Sequence, residues 1–358
     1  MSDAFFQKLF GDPDPTHLGT GWVSGTASVF VGMLALGGAI TLHFPGLLTL
    51  PEAREFYPME IIRPLIQAAI AAALVLGAIS AILRERKVLG LTGAALGLAA
   101  VLVGGASTPL PDEVASRVGI GFDWFLLDLL VMTIVFVPLE RLWPLHPGQG
   151  TFRPEWTTDA FYFVATHLPA QLTTFAILLP ATYASKWLAI PVLMKTIGGL
   201  PFLVQLPMAI VVADLSQYVT HRAFHKVPFL WRFHSIHHSI KTMDWIAGSR
   251  SHFVDILVTR GLILIPMTLV GFSQSTLAGY LVFVSFHATF CHTDFRPRTR
   301  WIEPHVVTVR YHHWHHAADA AAVDVNFAIH LPFIDRLFGT YYLPKDAWPE
   351  RYGLIGSS

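Results

Sequence analysis

Three short histidine runs in this sequence have the spacing of metal ligands. They are His221-Arg-Ala-Phe-His225, His234-Ser-Ile-His237-His238 and His312-His313-Trp-His315-His316. Residues three and four apart share a helix face, so each run would stack two or more imidazoles one above another. His292 lies between the second and third runs, at the end of an apolar stretch. A single pair at this spacing is a common coincidence on helix surfaces, but three runs in one chain point to metal. Eight or nine imidazoles suit two metals, because a catalytic metal takes about three protein ligands and keeps one position open. Neutral imidazole binds iron, copper, nickel and zinc, so ligand type alone does not choose among them.

Composition indicates the kind of scaffold that must position these rings. Hydrophobic residues make up 53% of the 358 residues and charged residues 13%, too apolar a balance for a soluble protein of this length. A helix crossing a hydrocarbon core of roughly 30 Å needs about 20 mostly apolar residues. Eight segments approach that requirement: Val23–Phe44, Ile62–Leu83, Val88–Ser107, Phe122–Leu139, Phe161–Tyr183, Leu200–Val219, Ile256–Phe272 and Thr276–Cys291. The last two are short enough to form a re-entrant hairpin. The first four are rich in Ala, Gly, Leu and Val, and small residues such as Gly37, Gly38, Gly93 and Gly97 would let helices approach closely. The expected fold is all-α: a polytopic transmembrane helix bundle carrying a cytosolic, histidine-rich helical cap.

Orientation follows from basic residues. The link Arg84-Glu85-Arg86-Lys87 is the most concentrated basic loop, which places it in the cytoplasm. Counting spans from there puts the turn after the fourth segment and all three histidine runs on the same side. Residues 221–255 and 292–345 would then form one cytosolic cap. The N-terminus lacks a basic region leading directly into a short apolar run, so no cleavable signal peptide is expected. The expected location is a multi-pass position in a bacterial inner membrane. The chain divides into an N-terminal transmembrane extension, residues 1–120, and a catalytic part, residues 121–358.

Several function classes are disfavoured. Lys+Arg and Asp+Glu are equal at 24 each, which gives no basic excess for nucleic acid. The single cysteine, Cys291, cannot form an intramolecular disulfide, and there is no Cys-x-x-Cys pair. No Gly-rich nucleotide fingerprint, haem-attachment motif or iron–sulfur cysteine set is present, so electrons for a redox reaction must come from a separate protein. A zinc protease would want His-Glu-x-x-His, and His221-Arg-Ala-Phe-His225 lacks that glutamate. A metal transporter would hold its ligands near the bilayer midplane, whereas these gather at segment ends.

From Asp214 through His221-Arg-Ala-Phe-His225 and Leu230-Trp-Arg-Phe-His234-Ser-Ile-His237-His238, the chain resembles the fatty acid hydroxylase/sterol desaturase superfamily. The resemblance continues through His292-Thr-Asp, Arg310-Tyr-His312-His-Trp-His315-His316, Asp324-Val-Asn326-Phe and Asp335-Arg-Leu-Phe-Gly339-Thr-Tyr, covering roughly residues 140–343. It implies a non-haem diiron site that activates O2 against an unactivated C–H bond of a lipid, supplied with electrons by a ferredoxin, cytochrome or reductase. The reaction is hydroxylation, with desaturation by the same site as the alternative. The implied ligands are His221, His225, His234, His237, His238, His292, His312, His315 and His316. His287 is a further candidate one residue off the usual position, and His313 is read as an outer neighbour.

Asp214, seven residues before His221, is expected to hydrogen-bond a ligand imidazole, with a solvated carboxylate as the alternative, and Asp324 and Asn326 are expected to support the third run or else to be turn residues. Arg250 and His252 are candidates for a headgroup or ligand contact, His305 is a loop residue, and His17, His43, His146 and His167 are read as structural.

Overall fold

The computed structural model describes residues 18–50, 57–109, 119–168, 170–296 and 300–355, which leaves His17 outside the described residues. Helices dominate. Among the described residues there is no β-strand, only two isolated bridges, Pro144 with Phe295 and Ala317 with Tyr352. The all-α expectation holds. The chain forms two compact units, one of Met1–Val131 with Leu168–Gln171, the other of Met132–His167 with Leu172–Ser358.

In the first unit, α1 (Trp22–His43), α2 (Met59–Leu83) and α3 (Val88–Leu102) pack side by side. Their small residues permit this. A Cβ on Gly93 would overlap the Ser28 side chain, and one on Gly90 would overlap the Gly77 carbonyl. The Ser28 hydroxyl donates to the Ala73 carbonyl at 2.6 Å, satisfying a polar group among alanines. In the basic link, Arg84 is buried while Glu85, Arg86 and Lys87 are exposed.

The helix α4 (Phe122–Leu142) begins in the first unit and ends in the second, and is followed by α5 (Trp156–His167), α6 (Ala170–Leu188), α7 (Pro191–Gly198) and α8 (Phe202–Lys226). Next come α9 (Pro228–His237), α10 (Phe253–Val270), α11 (Gln274–His292), α12 (Val309–His315) and α13 (Pro332–Phe338). One apolar core joins α6, α8, α10 and α11 through Ile177, Ala181, Ala209, Ala213, Ile263, Leu264, Met267 and Tyr280. The boundaries have local causes. Pro228 and Pro332 open α9 and α13, where a missing N–H costs nothing, and Gly271 and Gly339 end α10 and α13 in the left-handed conformation. Ser273 caps α11 by accepting from the Thr276 amide.

Six helices among the described residues are long and apolar enough to cross a membrane: Trp22–His43, Met59–Leu83, Val88–Ser107, Phe122–Leu142, Phe202–Lys226 and Phe253–Val270. They coincide with six of the eight expected segments. The fifth, Phe161–Tyr183, is split between α5 and α6; the sequence reads His167-Leu168-Pro169, and a proline disfavours helix in the residue before it. The eighth forms α11, in which Gln274, Ser275, Thr276, Ser285 and His287 dilute the apolar run.

The end of α8 remote from the histidines is anchored by Gln205. Its carbonyl oxygen accepts from the Ser273 amide at 2.8 Å and its amide donates to the Leu200 carbonyl at 2.6 Å. The turn between α10 and α11 is therefore tied beside the start of α8, and the opposite ends of α8 and α11 carry histidines while that of α10 carries Asp255.

Candidate metal centre

The nine histidines implied as ligands come together in two groups. His221, His225, His234, His238 and His315 form one, His237, His292, His312 and His316 the other, with ligand atoms in each group within 4.8 Å of one another. The elements explain the partition. α8 ends in His221 and His225, α11 ends in His292, and α9 and α12 each carry a His-x-x-His-His run. Each of those runs is divided: the pair four apart enters one group and the residue three along enters the other. Thus His234 and His238 go with the first group and His237 with the second, while His312 and His316 go with the second and His315 with the first. The expectation that His234 shares one face with both His237 and His238 is corrected here, because three residues turn a helix about 60° short of a full revolution and four about 40° beyond it.

The outer nitrogens are held by the chain. His221 Nδ1 donates to the Phe327 carbonyl at 2.8 Å, His315 Nδ1 to the Val325 carbonyl at 2.8 Å, His237 Nδ1 to the Arg250 carbonyl at 3.1 Å and His292 Nδ1 to the Ala288 carbonyl at 2.7 Å. His234 Nδ1 is 2.7 Å from the Asp255 carboxylate. A carbonyl only accepts, so Nδ1 carries the hydrogen in these rings and Nε2 of the neutral imidazole is left with a lone pair.

Those lone pairs point at one another. His221 Nε2 and His234 Nε2 are 3.0 Å apart, and His237 Nε2 and His292 Nε2 are 3.3 Å apart. Two lone pairs at that separation repel unless something electron-poor accepts both. Buried nitrogens of His225, His238, His315 and His316 have no hydrogen-bond partner at all. Burial, followed by neighbouring imidazoles, holds His234, His237, His238, His312, His315 and His316 well below the usual histidine range, so protons are not the acceptors. A donor set of buried, neutral, converging imidazoles fits two cations of the transition-metal type.

Asp214 does not reach a ligand ring. Seven residues of helix rise about 10 Å, beyond the reach of an aspartate to His221. Its carboxylate instead accepts from the Ile329, His330 and Leu331 amides at 2.8, 3.2 and 2.7 Å. Asn326, left-handed at φ 59°, bonds the Tyr311 and Tyr342 backbones rather than an imidazole. Asp324 sits by the first run, not the third, with Oδ1 3.5 Å from His225 Nδ1 and Oδ2 2.6 Å from Lys226 Nζ. Asp214 and Asn326 thus fix the loop whose carbonyls orient His221 and His315.

His287 lies outside both groups. Its Nε2 donates to the Val307 carbonyl and its Nδ1 faces His330 Nδ1, each at 2.9 Å. His313 bonds the Tyr352 hydroxyl at 2.8 Å, and burial pushes it down to about 3. Arg250 contacts protein, bonding Asp159 at 2.5 Å and Glu155 at 2.9 Å, and the His252 ring caps α10 by accepting from the Val254 amide. His146 bonds Asp294 and His167 lies 3.2 Å from the Ser249 hydroxyl.

Two carboxylates have roles that sequence reasoning does not assign, although Asp335 heads one of the motifs that carry the family resemblance. Asp255 holds His234. Asp335 gathers the Phe327 and Ala328 amides, the Tyr311 hydroxyl and the Thr340 hydroxyl, all at 2.7–2.8 Å. A carboxylate in the first turn of a largely apolar helix was the available signal for Asp255.

Residues 206–340 match the family model described as fatty acid hydroxylase. The chain is 30% identical over 156 residues to the ornithine lipid hydroxylase OlsE of Rhizobium tropici, an alignment covering 44% of this chain and 47% of that protein. It is 27% identical over 128 residues to the alkylglycerol monooxygenase of Homo sapiens, 36% of this chain and 28% of that protein. It is 42% identical over 53 residues to the fatty acid hydroxylase vlmA of a Lecanicillium species, 14% of each chain. The chain therefore spans less than half the length of these curated relatives. No solved structure matches it significantly.

Proposed function

We propose that this chain, whose residues 206–340 belong to the fatty acid hydroxylase family, is a membrane-embedded diiron oxygenase that hydroxylates a lipid C–H bond with O2. The observation that carries the reading is the pair of facing lone pairs, His221 with His234 and His237 with His292. Two irons bound there would supply O2 reduction and attack on an unactivated C–H bond.

The protein's part is positioning. His221, His225, His234, His238 and His315 would hold one ion, and His237, His292, His312 and His316 the other. Asp255 and the carbonyls of Phe327, Val325, Arg250 and Ala288 fix ring orientation and tautomer, which raises ligand basicity. The apolar helices limit water around the centre.

Residues 1–120 serve as a transmembrane extension and residues 121–358 as the catalytic part. The cap faces the cytoplasm of a bacterial inner membrane, an orientation supported by the exposed Arg86 and Lys87. Electrons come from an external ferredoxin, cytochrome or reductase. The curated relatives named for ornithine lipid and alkylglycerol point to lipids with a long chain and a polar head as substrates.

Lipidomics of a deletion strain tests this reading together with iron analysis of the purified protein. The expected result is loss of species one oxygen heavier than their precursors, and about two irons per chain. Loss of species lighter by two hydrogens would instead assign desaturation, and an unchanged lipid profile with no bound iron would sink the proposal.

A further inference from the structure

Beyond the histidines, one cavity combines aromatic walls with an uncompensated charge. It has a volume of about 720 Å³ and is lined by Trp143, Trp301 and Trp348 together with Arg296, Arg300 and Arg310. Trp143 directly follows Leu142, the last residue of a helix long and apolar enough to span a membrane. Tryptophan and arginine at that depth sit where lipid headgroups meet hydrocarbon. Trp143 is 57% exposed and Trp301 80% exposed, and although the Phe295 ring meets the edge of Trp143 at 6.5 Å, much of this aromatic surface stays open.

The charges do not balance. Arg300 pairs with Asp346 at 2.6 Å, and Arg310 forks onto Glu303 at 3.0 and 2.5 Å. Arg296 is exposed, lines the same cavity, and has no side-chain partner among the described residues. Its backbone is nevertheless fixed: the Arg296 amide donates to the Trp143 carbonyl and the Leu145 amide to the Asp294 carbonyl, each at 3.0 Å. This short pairing ties the cavity to the segment that begins at His292.

We propose that the cavity binds the anionic headgroup of a membrane lipid, with Arg296 taking the phosphate or carboxylate and the tryptophans covering its glycerol and upper chain. The concave shape suits a small polar group better than a flat protein partner. Its place beside a span end supplies lipid at high local concentration. A guanidinium with no counter-ion among the described residues offers the charge-assisted hydrogen bonds that such a group requires. The inference rests on reading α4 as a membrane span but not on the oxygenase reaction.

The test is calorimetric titration of the detergent-solubilised full chain with dihexanoyl-phosphatidylglycerol, dihexanoyl-phosphatidylcholine and inorganic phosphate. The anionic lipid should bind about tenfold or more tightly than the zwitterionic one or free phosphate, the margin one charge-assisted contact gives. Arg296→Gln should remove that margin while Arg296→Lys keeps most of it, both with wild-type metal content and melting temperature. Equal binding of both lipids, phosphate binding as tight as phosphatidylglycerol, or an Arg296→Gln chain that retains its preference would overturn the proposal. So would an acidic ferredoxin whose binding needs Arg296 and is not competed by phosphatidylglycerol. A chain that oxidises lipid but shows no headgroup preference would overturn this inference alone and leave the proposed function standing.

Discussion

His238 and His316 stack ring on ring, with centroids 4.4 Å apart and planes 19° from parallel, and each belongs to a different histidine group. The two groups therefore share a wall. Removing either ring should empty its own group and loosen the other, so His238→Ala and His316→Ala should each lose at least one metal per chain. The remaining metal should bind about tenfold more weakly, the scale of an outer-contact loss. Mass-spectrometric iron counts with chelator competition measure both effects, and two tightly held irons in either variant would refute the shared wall.

Asp255→Asn keeps the volume and a hydrogen-bond acceptor for His234 Nδ1 but removes the charge. The expected cost is about 10- to 100-fold in metal affinity or activity at near-wild-type stability. Wild-type iron affinity in this variant would show that Asp255 does not tune the ring it touches.

His287→Gln should leave both metals bound, because this ring bonds Val307 and His330 and lies outside both groups. Melting temperature should fall with the lost hydrogen bonds, at about 1 kcal/mol each. Loss of a metal equivalent would instead return His287 to the ligand set.

His313 gives a pH signature separable from the metal. Burial pushes its folded value down to about 3, against roughly 6.5 in an unfolded chain. The unfolded state then binds more protons, so this contribution is full above about 6.5 and declines as pH falls towards 3. By pH 5.5 it has cost about 1.4 kcal/mol. His313→Gln should flatten the fall in metal-free melting temperature between pH 7.5 and 5.5, and an unchanged slope would remove His313 from the account.

Histidines from α8, α9, α11 and α12 converge, so the adjoining surfaces should face one compartment. Phe229→Cys and Leu337→Cys, both at exposed positions, should label from the same side in a Cys291→Ser background. Labelling from opposite sides would break the arrangement.

The three histidine runs, their helical setting and most of the apolar segments were legible because periodicity and composition are local properties. The partition into two groups was not, since whether His237 follows His234 or leaves it depends on how α9 and α12 face each other. Asp214 was readable as a hydrogen-bonding carboxylate near the first run but not for what it binds, because the Ile329–Leu331 amides arrive from far along the chain. Asp255 is not legible for the same reason, and Asp335 is legible as part of a motif but not for what it holds. Each acts on a partner that only the folded chain brings near.

The division of the α9 and α12 runs has a consequence for biosynthesis. Each group takes ligands from both helices, so neither is complete when the chain has been made only as far as residue 292. The first group closes with His315 and the second with His316. A nascent chain would thus carry four histidines of the first group but only two of the second until α12 leaves the ribosome and docks, so the second group in particular cannot form until late, after the membrane helices are already made.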